Sequence, residues 1–222
     1  MIQPKTSDEE LTLPSILVAM PAMVDENFSR SVLLLIDHAD DGAFGVIINR
    51  PTALSLRKLV PSVQQDIPEE VPTWLGGPVR HDSGIVLHAA PPLEGDRRVG
   101  PHCSLATSEA ALLRMIAEMS ARIARFKAGE LAPAMELIAK GAESASGGDE
   151  SALLYPWRFI VGYAGWGPGQ LTEELRSGAW FELPFDKNLV YNTPWSQMWE
   201  AAFVKTETKS TAVTSVAQPW LN

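Results

Sequence analysis

Apolar residues form short uninterrupted runs along the first quarter of the chain. Residues 15–19, 32–36 and 44–48 each place apolar side chains at successive positions. A strand with one face in water alternates apolar and polar residues, whereas a continuous apolar run is typical of a strand covered on both faces. The pattern therefore predicts three strands of a sheet with structure packed on each side.

Turn signals divide the rest of the chain into further short elements. The Asp41-Gly42 step predicts a hairpin between the second and third runs. Strands are also predicted at 74–75 and 84–88, on either side of the Gly76-Gly77-Pro78 corner, and at 158–162. Helices are predicted at 55–60, 171–177 and 195–203, the second of them ending at Gly178.

The middle of the chain has a helical pattern. A long helix is predicted from Ser108, with a 4, 3, 4, 3 apolar stripe of Leu112, Ile116, Met119, Ile123 and Phe126. Two heptads are too few for a coiled coil, so packing on the protein's own sheet is the favoured interpretation. A homodimer contact through this stripe stays open as the alternative. A second helix at 134–140 and a glycine- and serine-rich linker at 143–151 complete a helical insertion at about 108–151.

Composition narrows the class of protein. The chain has 222 residues, a formal charge of -9 and a single cysteine, Cys103. The negative charge disfavours strong direct DNA binding, and one cysteine excludes an intramolecular disulfide. The polar, acidic start does not resemble a signal peptide, and no apolar segment approaches the ~20 residues of a membrane span. We expect a cytoplasmic protein that does not enter a membrane.

Two clusters of reactive residue types do not fit a known chemistry. A calcium loop starting at Asp37 needs an oxygen ligand at its third position and an acid at its twelfth, but these are Ala39 and Ile48. The sequence His81-Asp82-Ser83 has the residue types of a hydrolase triad at adjacent positions, which cannot converge as a triad must. We therefore predict no metal site and no cofactor.

Two further histidines are predicted to have structural and not catalytic roles. His102-Cys103 would place a base and a thiol on opposite faces of a strand, so we predict a packed or surface cysteine. His88, at the end of an apolar strand, is predicted to be a hydrogen-bonded histidine of the core or its rim.

The glycine-rich corner at 165–169 is a stronger candidate site. Glycines before a helix can expose N–H groups to an anion, but Glu173 and Glu174 in the first turns would repel a phosphate. The favoured interpretation is architectural: the glycines adopt positive φ, Trp166 folds onto the sheet and Gln170 caps the corner. On this hypothesis Gly167→Val forces a forbidden backbone conformation and lowers the melting temperature.

A second candidate lies where the third strand ends. Asn49-Arg50-Pro51 leaves a buried strand, and the segment from Asp25 to Arg30 offers carboxylates to Arg50. A structural pair between Arg50 and one of these carboxylates is the favoured interpretation. The alternative is a pocket near Arg50 and Trp166 in which an enzyme acts on a small metabolite.

Six motifs together resemble the YqgE/AlgH family of bacterial proteins. They are Ala19-Met-Pro, Phe28-x-Arg-Ser-Val, Gly45-Val-Ile-Ile-Asn-Arg-Pro, Gly76-Gly-Pro-Val, Gly162-Tyr-Ala-Gly-Trp and Gly169-Gln-Leu-x-Glu-Glu-Leu. The resemblance implies an α+β protein with a strongly curved mixed sheet and flanking helices. It also implies a transcriptional-regulator label without an established activity, and we find no basic DNA-reading helix.

These observations predict one domain over 1–222, with a mobile start at 1–12, the insertion and a tail at 205–222. The favoured function is that of a binding or regulatory protein, not an enzyme, with an unknown protein or small-molecule partner. Candidate functional residues are Arg30, Asn49, Arg50, Trp166 and Gln170.

Overall fold

The three apolar runs near the start of the chain are neighbouring strands of one curled sheet. The structure is a computed structural model, and it describes residues 12–60, 72–89, 92, 94–117 and 157–216. The strands of this part are β1 (Ser15–Ala19), β2 (Val32–Ala39), β3 (Gly42–Ile47), β4 (Pro51–Ser55), β5 (Pro72–Leu75), β6 (Val79–His88), β7 (Arg97–Gly100), β8 (Cys103–Ala106), β9 (Trp157–Trp166) and β10 (Trp180–Pro184).

The strand order within the sheet is β10-β1-β2-β3-β9-β6-β8-β7, and β5 pairs with both β4 and β9. The β5–β9 ladder is parallel, and the other described ladders are antiparallel. The predicted β2–β3 hairpin and the mixed character of the sheet are confirmed. Arg97 of β7 donates to the Asp37 carboxylate of β2 at 2.8 Å, although four strands separate β2 from β7. This contact shows how strongly the sheet curls.

Both faces of the first strands are covered, as the continuous apolar runs predict. Ile16 and Val18 of β1 belong to the cluster on the inner face of the curl, whereas Leu17 and Ala19 belong to a cluster on the outer face. Side chains alternate between faces along a strand, so a run buried throughout requires a layer on each side. All five residues of β1 are buried.

Helices provide these layers. The helices of the described residues are α1 (Leu56–Leu59), α2 (residues 109–117), α3 (Gln170–Arg176), α4 (Lys187–Asn192) and α5 (Trp195–Val216). Leu189 of α4 and Met198 of α5 are buried in the inner cluster, and Leu171 of α3 is buried in the outer one. Asp186 caps α4 by accepting from the backbone N–H groups of Asn188 and Leu189, at 2.8 and 3.2 Å.

The predicted apolar stripe packs on its own sheet as far as it is described. Leu112, Met115 and Ile116 of α2 are buried with Val86 and Trp157 in a third cluster. The intrachain interpretation is therefore confirmed for Leu112 and Ile116. Met119, Ile123, Phe126, the predicted helix at 134–140 and the linker at 143–151 lie outside the described residues.

Several boundaries differ from the prediction. β4, β7, β8 and β10 have no counterpart among the predicted strands, since each is only four or five residues long and three of them are partly exposed. β9 continues to Trp166, so the glycine-rich corner begins inside a strand. The last helix is predicted to end at residue 203 but continues to Val216, because its threonines and serines tolerate helix without favouring it.

Candidate functional site

The loop of residues 20–31 joins β1 to β2 and has no helix or strand, yet its backbone is tied down. Asn49, which is buried and follows β3, accepts a hydrogen bond from the Val32 N–H at 2.8 Å and donates to the Arg30 carbonyl at 3.0 Å. Each net hydrogen bond stabilises the folded state by about 0.5–1.5 kcal/mol. Asn49, one of the predicted site residues, therefore fixes the C-terminal end of this loop.

Arg50 fixes the middle of the loop. Its guanidinium donates to the carbonyl oxygens of Glu26 and Ser29, at 2.9 and 2.8 Å. Arg50 joins the two segments as predicted, but its hydrogen-bond acceptors are backbone carbonyls and the Asp25 carboxylate acts on it only through its charge. The carboxylate of Asp25 instead accepts from the Asn27 N–H at 2.7 Å. Partial burial lowers the pKa of Arg50, and the nearby charge of Asp25 opposes this shift.

Arg30 has a different role at the end of the same loop. Its φ of 54° lies in the left-handed region, which costs a residue with a side chain about 1–2 kcal/mol. The guanidinium carbon lies 4.6 Å from the centre of the Trp199 ring, and Nη2 lies 3.0 Å from Oε1 of Glu200. The Arg30 and Glu200 side chains are 65% and 69% exposed. An exposed pair contributes about 0–1 kcal/mol and an exposed cation–π contact about 0.5–1 kcal/mol, so the contact is weak.

The ring under Arg30 is held firmly. Trp199 is half-buried, and its indole N–H donates to the Ala19 carbonyl at 2.8 Å. It also stacks on Phe203, with ring centres 5.3 Å apart and an interplanar angle of 13°. We define the loop–helix surface as four exposed residues of the loop, Val24, Asp25, Glu26 and Arg30, together with Trp199 and Glu200.

Phe28 connects the loop to the glycine-rich corner on the outer face of the sheet. Its ring stacks on Trp166, with centres 6.3 Å apart, and meets Trp180 edge-on at 5.6 Å. Trp166 and Trp180 are themselves 6.2 Å apart in an edge-to-face arrangement. Such aromatic pairs contribute about 0.5–1.5 kcal/mol beyond the burial of their area.

A single carboxylate organises that corner. Oε2 of Glu174 accepts from the indole N–H groups of Trp166 and Trp180, at 2.9 and 2.7 Å. Its Oε1 accepts from the Gln170 amide at 2.9 Å, and Gln170 in turn accepts from the Gly167 N–H at 3.1 Å. The predicted cap by Gln170 and the folding of Trp166 onto the sheet are confirmed. We name Trp166, Gln170, Glu174 and Trp180 the carboxylate corner.

The glycines of this corner do not all act as predicted. Gly169 has φ 71°, a left-handed conformation at the N-cap of α3. Gly167 has no positive φ, and a Cβ added there would meet open space. The prediction that Gly167 needs a conformation forbidden to other residues is wrong, and Gly169 has that requirement instead.

The remaining candidates have structural partners. His81 lies 2.9 Å from the Gly77 carbonyl, and the Asp82 carboxylate lies 3.6 Å from Arg80. Cys103 is buried, and burial raises the pKa of its thiol to about 12. His102 is in the turn before it with φ 57°, not on the strand where the sequence places it.

The last predicted histidine is confirmed as a core residue. His88 is completely buried, with Nε2 3.3 Å from the buried Asp96 carboxylate. Within the described ranges, no three His, Cys, Asp or Glu side chains are grouped so as to hold a metal ion.

The structure thus divides the five predicted site residues into two groups. Arg30, Asn49 and Arg50 meet at the 20–31 loop, and Trp166 and Gln170 meet at the carboxylate corner. Sequence reasoning missed Trp199 and Glu200, because 170 positions separate Arg30 from Glu200. No local signal links residues that far apart.

The sheet is curled into a half-barrel and carries helices on both faces. This architecture makes the chain a mixed α+β protein, as predicted. The chain belongs to the AlgH-like family, whose model matches residues 16–132 and 142–210. The resemblance seen in the motifs is therefore confirmed.

Individual relatives and a solved structure support the same family. The chain is 36% identical over 193 residues to a UPF0301 protein of Nitrosococcus oceani, with 84% of each chain covered. It is 32% identical over 213 residues to one of Pseudomonas fluorescens, covering 90% of this chain and 92% of that one. The solution structure of the AlgH protein from Pseudomonas aeruginosa matches with a TM-score of 0.60 and 26% identity, covering 98% of this chain and all of that one.

The family match also bears on the middle of the chain. It continues to residue 132 and resumes at 142, so most of the segment predicted as an insertion is common to the family. Within the predicted insertion at about 108–151, only residues 133–141 lie outside the match.

Proposed function

We propose that this protein is a regulatory binding protein that acts through protein–protein contacts made by the loop–helix surface. The observation that carries the proposal is a fixed loop with an exposed apolar tip. Asn49 and Arg50 tie the backbone of the 20–31 loop, whereas Val24 is 91% exposed. Loops held by a rigid scaffold are common binding elements, because little ordering entropy is lost when a partner binds.

The composition of the surface supports a protein partner. Tryptophan and arginine are enriched among the residues that dominate protein interfaces, and Trp199 and Arg30 lie together here. The alternative of an enzyme with a pocket near Arg50 and Trp166 receives less support. Their donor groups are directed at protein carbonyls and at Glu174, not at a shared cleft.

We propose that the protein acts in the cytoplasm and that any effect on transcription is exerted through a protein partner. The formal charge of -9 opposes direct contact with a phosphate backbone. Within the described residues, no helix is both long and apolar enough to cross a membrane.

Comparative co-purification tests this function. The tagged chain and two variants, Val24→Asp and Leu54→Asp, are isolated from native cells and the retained proteins are quantified by mass spectrometry. Leu54 is a matched control, since it is 49% exposed but lies on β4. We expect at least one protein to be lost with Val24→Asp and retained with Leu54→Asp. An identical set of retained proteins for all three chains would contradict the proposal. Retention of a second copy of the chain would identify the homodimer that the sequence leaves open.

A further inference from the structure

The contact between Arg30 and the first turns of α5 has the chemistry of an arginine-binding site. A guanidinium is bound well by a flat aromatic face together with a carboxylate. Trp199 supplies the face at 4.6 Å and Glu200 the carboxylate at 3.0 Å, and the two residues are adjacent on one helix. In this structure the guanidinium belongs to the chain itself.

The aromatic part of this site is preorganised without help from Arg30. The indole N–H of Trp199 is held by the Ala19 carbonyl at 2.8 Å, and its ring is stacked on Phe203. Replacing Arg30 would therefore leave the Trp199 ring in place. A fixed ring costs an incoming group little ordering entropy.

Arg30 is more exposed than Arg50 and makes different contacts. Arg50 donates to two backbone carbonyls and is partly buried. The Arg30 side chain is 65% exposed, and its guanidinium contacts the side chains of Trp199 and Glu200 on α5. An exposed pair of this kind exchanges readily with solvent and with competing cations.

We propose that Trp199 and Glu200 form a recognition site for an arginine side chain of a partner protein, and that Arg30 occupies this site in the free protein. The inference rests on the proposed function and names the chemistry of the partner. Charge complementarity favours a cationic segment, because the same loop exposes Asp25 and Glu26 and the chain has a formal charge of -9. Binding then exchanges one guanidinium for another.

The test uses the purified full chain and an acetylated tetra-arginine amide as the probe, with tetra-lysine and tetra-glutamate peptides as controls. Binding is followed by the indole N–H resonance of Trp199, assigned with a Trp199→Phe variant. We expect the arginine peptide to shift this resonance saturably and the glutamate peptide to leave it unchanged. Arg30→Ala should tighten binding roughly three- to tenfold, because the internal competitor is gone. Glu200→Gln should weaken it.

Arg176→Ala is the matched control, since Arg176 is 52% exposed and lies 3.8 Å from Glu173 on a different helix. It should leave the affinity unchanged. Unchanged or weaker binding by Arg30→Ala, or equal binding of the lysine and arginine peptides, would overturn the inference. Either result would leave the co-purification test of the proposed function unaffected, so the two failures can be told apart.

Discussion

The carboxylate corner and the loop–helix surface both contain tryptophan and glutamate side chains, but the two regions differ in burial and in the groups that the glutamate binds. At the corner, Glu174 accepts from two buried indoles and from an amide. At the surface, Glu200 and Trp199 meet the exposed guanidinium of Arg30. The same residue types therefore hold a fold together in one place and remain available to solvent in the other.

Burial explains this difference. A buried polar group must keep its hydrogen bond, because losing the partner costs the full desolvation of that group. An exposed group regains water when its partner leaves, so the contact can be exchanged. We therefore expect substitutions at the corner to lower stability and substitutions at the surface to leave stability nearly unchanged.

Glu174→Ala should have the largest effect on stability. It leaves the indole N–H groups of the buried Trp166 and Trp180 without their acceptor, and each unsatisfied group costs about 1–3 kcal/mol. We expect the free energy of unfolding, measured with urea, to fall by about 2–6 kcal/mol.

Glu173→Ala is the control for that variant. Glu173 lies on the same helix, but its side chain is 75% exposed and its contact with Arg176 is at 3.8 Å. Its removal should change the free energy of unfolding by less than about 0.5 kcal/mol. Equal effects of the two substitutions would show that Glu174 does not organise the corner.

Gly169→Val should have an intermediate effect. The left-handed φ of 71° at Gly169 costs a residue with a Cβ about 1–2 kcal/mol, and more for a β-branched one. Gly167→Ala is the comparison, since its Cβ would meet open space. Thermal unfolding should show a clearly lower midpoint for Gly169→Val only. A larger drop in the midpoint for Gly167→Ala would show that Gly167, and not Gly169, needs a backbone conformation that other residues avoid.

Arg30→Gly should change stability little despite removing a salt bridge. Glycine relieves the strain of φ 54°, and this gain offsets the weak exposed contacts with Trp199 and Glu200. We expect the free energy of unfolding to stay within about 0.5 kcal/mol of the parent chain. A loss above about 1.5 kcal/mol in urea titration would make Arg30 part of the structural framework.

The smallest expected effect is in DNA binding. The isolated protein should show no strong direct binding at physiological salt, because its formal charge of -9 repels the phosphate backbone. Fluorescence anisotropy with labelled duplexes checks this. Submicromolar, sequence-specific binding with a steep dependence on salt would contradict it.

Much of the fold is predictable from the sequence, because several strands and turns have patterns that lie within a few consecutive residues. Continuous apolar runs reveal β1 and β2, and Asp41-Gly42 reveals β3 as the hairpin partner of β2, because each pattern spans only a few residues. Strands such as β7 and β10 are short and partly polar, so tertiary pairing decides them.

Only part of the candidate site is predictable from the sequence. Asn49 and Arg50 follow a recognisable strand, and Gln170 follows a glycine-rich corner, so each stands out. The acceptors of Arg50 are backbone carbonyls, which no side-chain pattern encodes. Trp199 and Glu200 come from a helix near the other end of the chain, so only the folded structure brings them to Arg30.

Site-specific photo-crosslinking in native cells tests the central claim most directly. A photoreactive residue replaces Val24 in one chain and Leu54 in another, since these side chains are 91% and 49% exposed on different elements. The account predicts a discrete protein adduct from position 24 and none of the same mass from position 54. No adduct at position 24, or the same adduct from both positions, would contradict the assignment of the loop–helix surface as the binding site.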